Sequence, residues 1–249
     1  MRTLKFVIQY DGTRYYGWQR QSASPTIQQI LEETLQKIIH EPVNVKGSGR
    51  TDRGVHALAQ VAHCRVETSL GDQTLLRAMN SLLPEDIVIK ELKTETDSFD
   101  AQKNVSSKIY FYQILNTPLP DPMLRHFCWW IPPPPNPIDR QAMNLAASLI
   151  EGEHDFSAFR NHGGSIKTTV RTVYRSHFFE QSPYLIYEIE GSGFLKQMVR
   201  NLVSALVRVG RHQMSIDQFK AIFDSKDRRR APPPAPPAGL FLKSVTYFH

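Results

Sequence analysis

Two cysteines, Cys64 and Cys128, are all that the 249 residues contain, and they stand 64 positions apart. Neither has a close partner of the kind a zinc ribbon or a redox dithiol requires, so a disulfide framework and a cysteine-based metal site are excluded. The thiols are expected to be reduced and buried. Long apolar stretches are missing as well. The longest unbroken run is the five residues Phe127 to Ile131, against the roughly 18 that a bilayer-spanning helix needs. The opening Met1-Arg2-Thr3-Leu4-Lys5 leads directly into alternating side chains, with no apolar h-region and no small-residue cleavage site. No membrane association is expected, and cytoplasm is the expected compartment. The glycines lack the spacing of a dinucleotide fingerprint, and none leads into the Gly-Lys-Ser/Thr of a P-loop.

What is present is the material of a globular protein, 41% apolar and 22% charged, enough for a sizeable core. Thirty basic residues face 24 acidic ones, for a formal charge of +6. Residues 1–104 are balanced at 13 of each sign, whereas residues 105–249 carry 17 basic and 11 acidic side chains. A positive excess confined to the second part suits a polyanionic partner, with a merely solvated basic face as the alternative.

Leu4 to Tyr10 alternates with a period of two and predicts a strand ended by Asp11-Gly12. The stripe Ile27, Ile30, Leu31, Leu35, Ile38 and Ile39, preceded by Pro25-Thr26, predicts a helix. Strands near 43–48 and 61–67, a helix near 73–82 and a strand at 87–92 complete the order βαββαβ. The same order is expected again after the polar stretch 94–104. Its elements are a strand at 107–115, a helix at 139–151, strands near 168–179 and 184–190, a helix at 194–209 and a last strand at 240–247, with an extra helix inserted near 215–223. The fold expected is therefore α+β: two tandem ferredoxin-like units, 1–104 and 105–249, each an antiparallel sheet with helices on one face. Prolines at 132–135 and 137, and at 232–237 around Ala235, are expected as polyproline-like connectors. Arg228 to Arg230 reads as a solvated charge run, with phosphate contact as the alternative.

The densest run of unusual residues is Gly47-Ser48-Gly49-Arg50-Thr51-Asp52-Arg53-Gly54-Val55-His56-Ala57, between the second and third strands. Its glycines permit a backbone that holds one side chain exposed and fixed. Asp52, flanked by Arg50 and Arg53, is expected to stay ionised, as a nucleophile or base must. On the loop alone, a turn whose aspartate caps backbone amides is the better explanation. His56 and His63 are expected to be satisfied within the fold, because no third ligand has suitable spacing.

Gly49-Arg50-Thr51-Asp52-x-Gly54-Val55-His56-Ala57 resembles the signature of the A-family tRNA pseudouridine synthases, which modify the anticodon stem-loop. Four further stretches match in order: Tyr10-Asp11-Gly12-Thr13-x-Tyr15-x-Gly17-Trp18-Gln19, Asp155-Phe156-Ser157-x-Phe159, Phe194-Leu195-x-x-Met198-Val199-Arg200-Asn201 and Ala238-Gly239-Leu240-x-Leu242-x-x-Val245-x-Tyr247. The chain departs from the pattern at Phe99-Asp100-Ala101-Gln102, where Phe-His-Ala-Arg is usual, and at Lys108, where arginine is common.

The resemblance implies the pseudouridine synthase fold, with a cleft between the two units, and conversion of uridine to pseudouridine at tRNA positions 38, 39 or 40. It implies Asp52 as the nucleophile, attacking C6 of the base or C1′ of the ribose, and Tyr110 packing on the flipped ring. Arg50 is implied to help evict the nucleotide, and Arg200, which a helical wheel places on the flank of the apolar stripe Leu195, Met198, Val199, Leu202, Val203, Leu206 and Val207, is implied to pair with the carboxylate. It also implies tRNA as partner, a homodimer, and neither metal nor organic cofactor. Two rivals remain. A non-catalytic RNA-binding module shares the topology but carries a basic-Gly-aromatic stretch on a central strand, which is lacking here. A base-excising hydrolase would release a free base.

Overall fold

A computed structural model describes residues 1–103, 105–133, 138–163 and 166–248. Its regular elements, in chain order, are β1 (Arg2–Tyr10), α1 (Ile27–Ile39), β2 (Lys46–Gly47), β3 (His56–Val66), α2 (Asp72–Leu82), β4 (Ile87–Glu95), β5 (Val105–Leu115), β6 (Trp129–Trp130), α3 (Arg140–Ser148), β7 (Gly152–Asp155), β8 (Val170–Gln181), β9 (Tyr184–Gly191), α4 (Met198–Gly210), α5 (Ile216–Ser225) and β10 (Leu240–Tyr247). Among the described residues no helix is long and apolar enough to cross a membrane. Both cysteines are free and buried, and burial pushes the Cys64 thiol up to about 12.

The chain forms two compact units, Met1–Ser106 with Phe241–His249, and Ser107–Leu240. Phe241 and the residues after it belong with the first unit. Phe241 and Leu242 pair in parallel with His56 and Ala57 on β3. The transfer moves one lysine, Lys243, and leaves the basic excess with the second unit.

In the first unit, β1 lies between β4 and β3, antiparallel to both, with Phe6 opposite Leu92 on one side and Ala62 on the other. β2 joins β3 antiparallel, with Lys46 opposite His63. The order β4-β1-β3-β2 is that of a ferredoxin-like sheet. The alternation of β1 works as its period predicts: Leu4, Phe6, Ile8 and Tyr10 are all buried. Helix α1 starts where Thr26 accepts a hydrogen bond from the Gln29 amide, ends at a left-handed His40, and buries Ile27, Leu31 and Leu35. The β2 strand is shorter than expected. The β3 strand is longer, because the last two residues of the glycine-rich motif, His56 and Ala57, are already strand.

In the second unit, β9 lies between β5 and β8, with Tyr112 opposite Tyr187 and Phe178 opposite Tyr187. β7 extends the sheet beyond β8, and β6 lies parallel along the end of β5. Neither β6 nor β7 shows in the sequence pattern, being two and four residues long. Helix α4 begins at Met198, four residues later than expected, because Gln197 takes a left-handed φ of 59°. Pro132 and Pro133 have no regular structure; Pro134, Pro135 and Pro137 lie outside the described residues. At 232–237 the chain is irregular up to a short 3₁₀ turn from Pro237.

Candidate active site: the Asp52 loop and its cradle

The first two sequence motifs meet in space. The segment 10–18 wraps the loop 49–56, and backbone hydrogen bonds tie them on both sides of Asp52. The Trp18 amide donates to Thr51 O at 3.1 Å, and the Gly54 amide donates to Tyr15 O at 3.3 Å. Within the loop, the Val55 amide closes a turn on Asp52 O at 3.1 Å. Thr51 is buried, its hydroxyl 2.9 Å from the Tyr10 hydroxyl. Burial pushes that phenol up to about 12 against the opposing pull of Thr51 and Gln60. The loop base is held by Ser48 Oγ donating to Gln60 Oε1 at 2.8 Å and by Gln60 Nε2 donating to Gly49 O at 3.0 Å. Asp52 itself is half-buried at the top of this frame.

Glycine is required where the two segments touch. Gly17 has φ +88°, and a Cβ there would lie 2.5 Å from Thr51 O. A Cβ on Gly12 would lie 2.0 Å from Val55 O. The histidines are satisfied as expected. His56 Nδ1 accepts from the Gly12 amide at 3.0 Å, and His63 Nδ1 accepts from the Ala101 amide at 3.0 Å. Asp11 Oδ1 also lies 3.1 Å from His56 Nδ1. Burial also keeps His63 below the ordinary histidine value, with Lys46 and Arg65 adding to the shift against Asp100.

Arg50 and Arg53, on either side of Asp52 in the chain, are both exposed. Arg53 lies over the Tyr16 ring, its guanidinium carbon 4.1 Å from the centroid. Gln102, at a position where the family pattern differs, donates to Gly47 O at 3.2 Å. Asp100 caps the Gln102 amide at 2.9 Å, so these departures tie the connector to the root of the loop.

In the second unit, Tyr110 is 8% exposed and meets Phe194 in a T-shaped contact, with centroids 5.2 Å apart at 84°. Tyr112 and Ile114 on the same face of β5 are fully buried. Burial, with Arg171 adding its repulsion, pushes the Lys108 ammonium down to about 8 from the ordinary 10.5. Because the folded value lies below the unfolded one, the unfolded state binds more protons between them, and stability rises with pH across that window. Lys108→Met is expected to raise stability at pH 7 and flatten this rise. Urea titrations at pH 7.5 and 9.5 test it, and a variant that keeps the wild-type slope would refute it.

Arg200 differs from its helical-wheel placement. It does not flank an apolar stripe, because α4 is enclosed on nearly every side and Arg200 is only 8% exposed. The reason is the proline-rich segment. Arg200 Nε donates to Ala235 O at 2.7 Å, and the Ala235 amide donates back to Arg200 O at 3.0 Å. The segment that composition marks as a connector thus clamps this arginine.

Arg228 is a correction of another kind. It is not part of a solvated run: its Nε donates to Asn161 Oδ1 at 2.8 Å, Nη2 to Asn201 Oδ1 at 2.9 Å and Nη1 to Ala231 O at 2.8 Å. Arg229 pairs with Asp227 on the surface. A triplet of arginines carries no pattern that separates the inward member from its neighbours. Arg228→Ala removes three hydrogen bonds, to Asn161, Asn201 and Ala231, and is expected to cost about 2 kcal/mol, whereas Arg230→Ala stays within about 0.5 kcal/mol. Denaturant unfolding measures both, and equal costs would contradict the network.

Among the described residues no group of three His, Cys, Asp or Glu side chains is arranged to hold a metal ion. A carboxylate mounted on a pinned loop and flanked by two exposed arginines is equipment for covalent or acid–base chemistry on an anionic substrate. The sequence model of the family described as tRNA pseudouridine synthase matches residues 6–102 and 146–248. Curated relatives named tRNA pseudouridine synthase A span the chain. That of Thermoanaerobacter sp. strain X514 is 42% identical over 99% of this chain and 100% of its own length. That of Acetivibrio thermocellus is 39% identical over the same shares, and that of Methylacidiphilum infernorum is 41% identical over 98% and 94%. A chain of the solved Cbf5-Nop10-Gar1 complex aligns with a TM-score of 0.34 at 14% identity, over 81% of this chain and 44% of that one, a likeness too remote to bear on the fold. The chain belongs to the tRNA pseudouridine synthase family.

Proposed function

We propose that this protein isomerises uridine to pseudouridine at positions 38, 39 or 40 of the tRNA anticodon stem-loop, with Asp52 as nucleophile. In the reaction the N1–C1′ bond breaks, the base turns, C1′ bonds to C5, and the C5 proton is lost while N1 gains one. Attack at C1′ and attack at C6 both need an anionic carboxylate against an unstacked nucleotide. The observation that supports Asp52 most directly is its mounting: Thr51 O, Asp52 O and Gly54 N are all engaged in backbone hydrogen bonds, so the carboxylate stands on a loop with little freedom to recoil. Arg50 is assigned to the displaced nucleotide, Tyr110 to the flipped ring and Arg200 to orienting the carboxylate. The basic second unit is assigned to tRNA phosphates, so binding weakens steeply with salt. No cofactor enters this chemistry. A homodimer in the cytoplasm completes the proposal.

The test is incubation with unmodified tRNA transcript, followed by chemical mapping. Pseudouridine confined to positions 38–40 is the expected result. Pseudouridine only elsewhere overturns the position, free uracil makes the protein a hydrolase, and binding without any product makes it a non-catalytic RNA-binding protein.

A further inference from the structure

Beside Asp52 the chain carries a stacked pair at two positions that the family signature leaves open, Tyr16 between Tyr15 and Gly17, and Arg53 between Asp52 and Gly54. The Arg53 guanidinium lies 4.1 Å above the Tyr16 ring. Tyr16 is 38% exposed, whereas its neighbours Tyr15 and Trp18 are buried. Both are held from the backbone. The Tyr16 amide donates to Pro25 O at 2.9 Å, Gln21 Nε2 donates to Tyr16 O at 3.1 Å, and the ties at Tyr15–Gly54 and Trp18–Thr51 fix the two segments against each other. A layered, pre-ordered cation and ring on the surface loses little entropy when a third planar group is added.

We propose that Arg53, backed by Tyr16, is a stacking shelf for the nucleobase next to the target uridine. The proposal rests on the uridine isomerase function above. Consecutive Cα atoms are about 3.8 Å apart and successive bases of a strand about 3.4 Å. A side chain one residue beyond Asp52 is therefore within reach of the nucleotide one step from the target. Extruding the target removes a stacking partner from its neighbour, and an arginine plane replaces such a partner as an aromatic ring does. A guanidinium over the Tyr16 ring offers, besides its charge, a plane on which a base can stack.

The experiment measures binding and product formation separately, on a synthetic anticodon stem-loop with the nucleotide on either side of the target intact or made abasic. An abasic site removes the ring and keeps the phosphate. Wild type is expected to lose about tenfold in affinity when one particular neighbour is abasic. Arg53→Ala and Tyr16→Leu are expected to lose a similar factor on the intact stem-loop and nothing further on that abasic one. Arg53→Lys, which keeps the charge and loses the plane, should behave as Arg53→Ala. Equal abasic penalties in wild type and Arg53→Ala would overturn the shelf. So would an Arg53→Lys variant that binds like wild type while Arg53→Ala lowers the salt slope by about one phosphate, the mark of a simple phosphate contact. Coupling in binding without any pseudouridine would leave the shelf standing and remove the isomerase; pseudouridine without coupling would do the reverse.

Discussion

Replacing Asp52 by asparagine is expected to lower pseudouridine formation by at least about 10³-fold while tRNA affinity and thermal stability stay near wild type. The amide occupies almost the same volume, so the loop keeps its backbone bonds through Thr51 O, Asp52 O and Gly54 N; what it loses is the anion. Affinity resides mainly in phosphate contacts, which the substitution does not touch. Single-turnover kinetics with saturating enzyme isolates the chemical step from binding. Activity within tenfold of wild type would remove Asp52 as nucleophile. A large fall in melting temperature would instead assign the carboxylate to holding the turn, the role that a Gly-rich loop suggests when it is taken alone. Asp52→Glu separates charge from placement: if it stays inactive although anionic, the position of the carboxylate matters as much as its charge.

The elements with strong periodicity are legible in the order of the amino acids: β1 from Leu4, Phe6, Ile8 and Tyr10, and α1 from its capping Thr26 and the stripe through Ile27, Leu31 and Leu35. What escapes is set by partners far along the chain. Nothing within Leu240–Tyr247 says that Phe241 pairs with His56 on β3. Nothing in Arg228-Arg229-Arg230 tells that the first turns inward to Asn161 and Asn201, because that choice is made by acceptors 67 and 27 residues away. Arg200 escapes for a related reason. A helical wheel assumes one buried side, and the chain at 232–237 covers another through Ala235. The candidate site is legible as motifs, yet the cause of the motifs' composition is not. That Tyr10 to Gln19 and Gly47 to Ala57 are two halves of one cradle becomes visible only when Thr51 is seen against Tyr10 and Trp18.

That cradle carries the second large expected effect. Alanine in place of Gly17 must accept φ +88°, a left-handed conformation that costs an L-residue about 1–2 kcal/mol, and its Cβ meets Thr51 O at 2.5 Å and Asp52 C at 3.0 Å. Alanine in place of Gly12 needs no unusual φ, but its Cβ meets Val55 O at 2.0 Å. Both collisions are with backbone, which cannot swing aside as a side chain does, so either substitution is expected to destabilise by about 3 kcal/mol or more. Gly71→Ala is the control: a Cβ there meets nothing within 4 Å, and as the residue capping the start of α2 it should cost no more than about 1 kcal/mol. The catalytic consequence separates cradle from scaffold. The atoms that Gly17→Ala displaces belong to Thr51 and Asp52 themselves. At a temperature where the variant is still folded, its single-turnover rate should therefore fall while tRNA affinity persists, because about 1 Å of misplacement can cost about 10²-fold. A folded Gly17→Ala protein that turns over at the wild-type rate would mean that the segment 10–18 only supports the fold, and that the aim of Asp52 is set elsewhere.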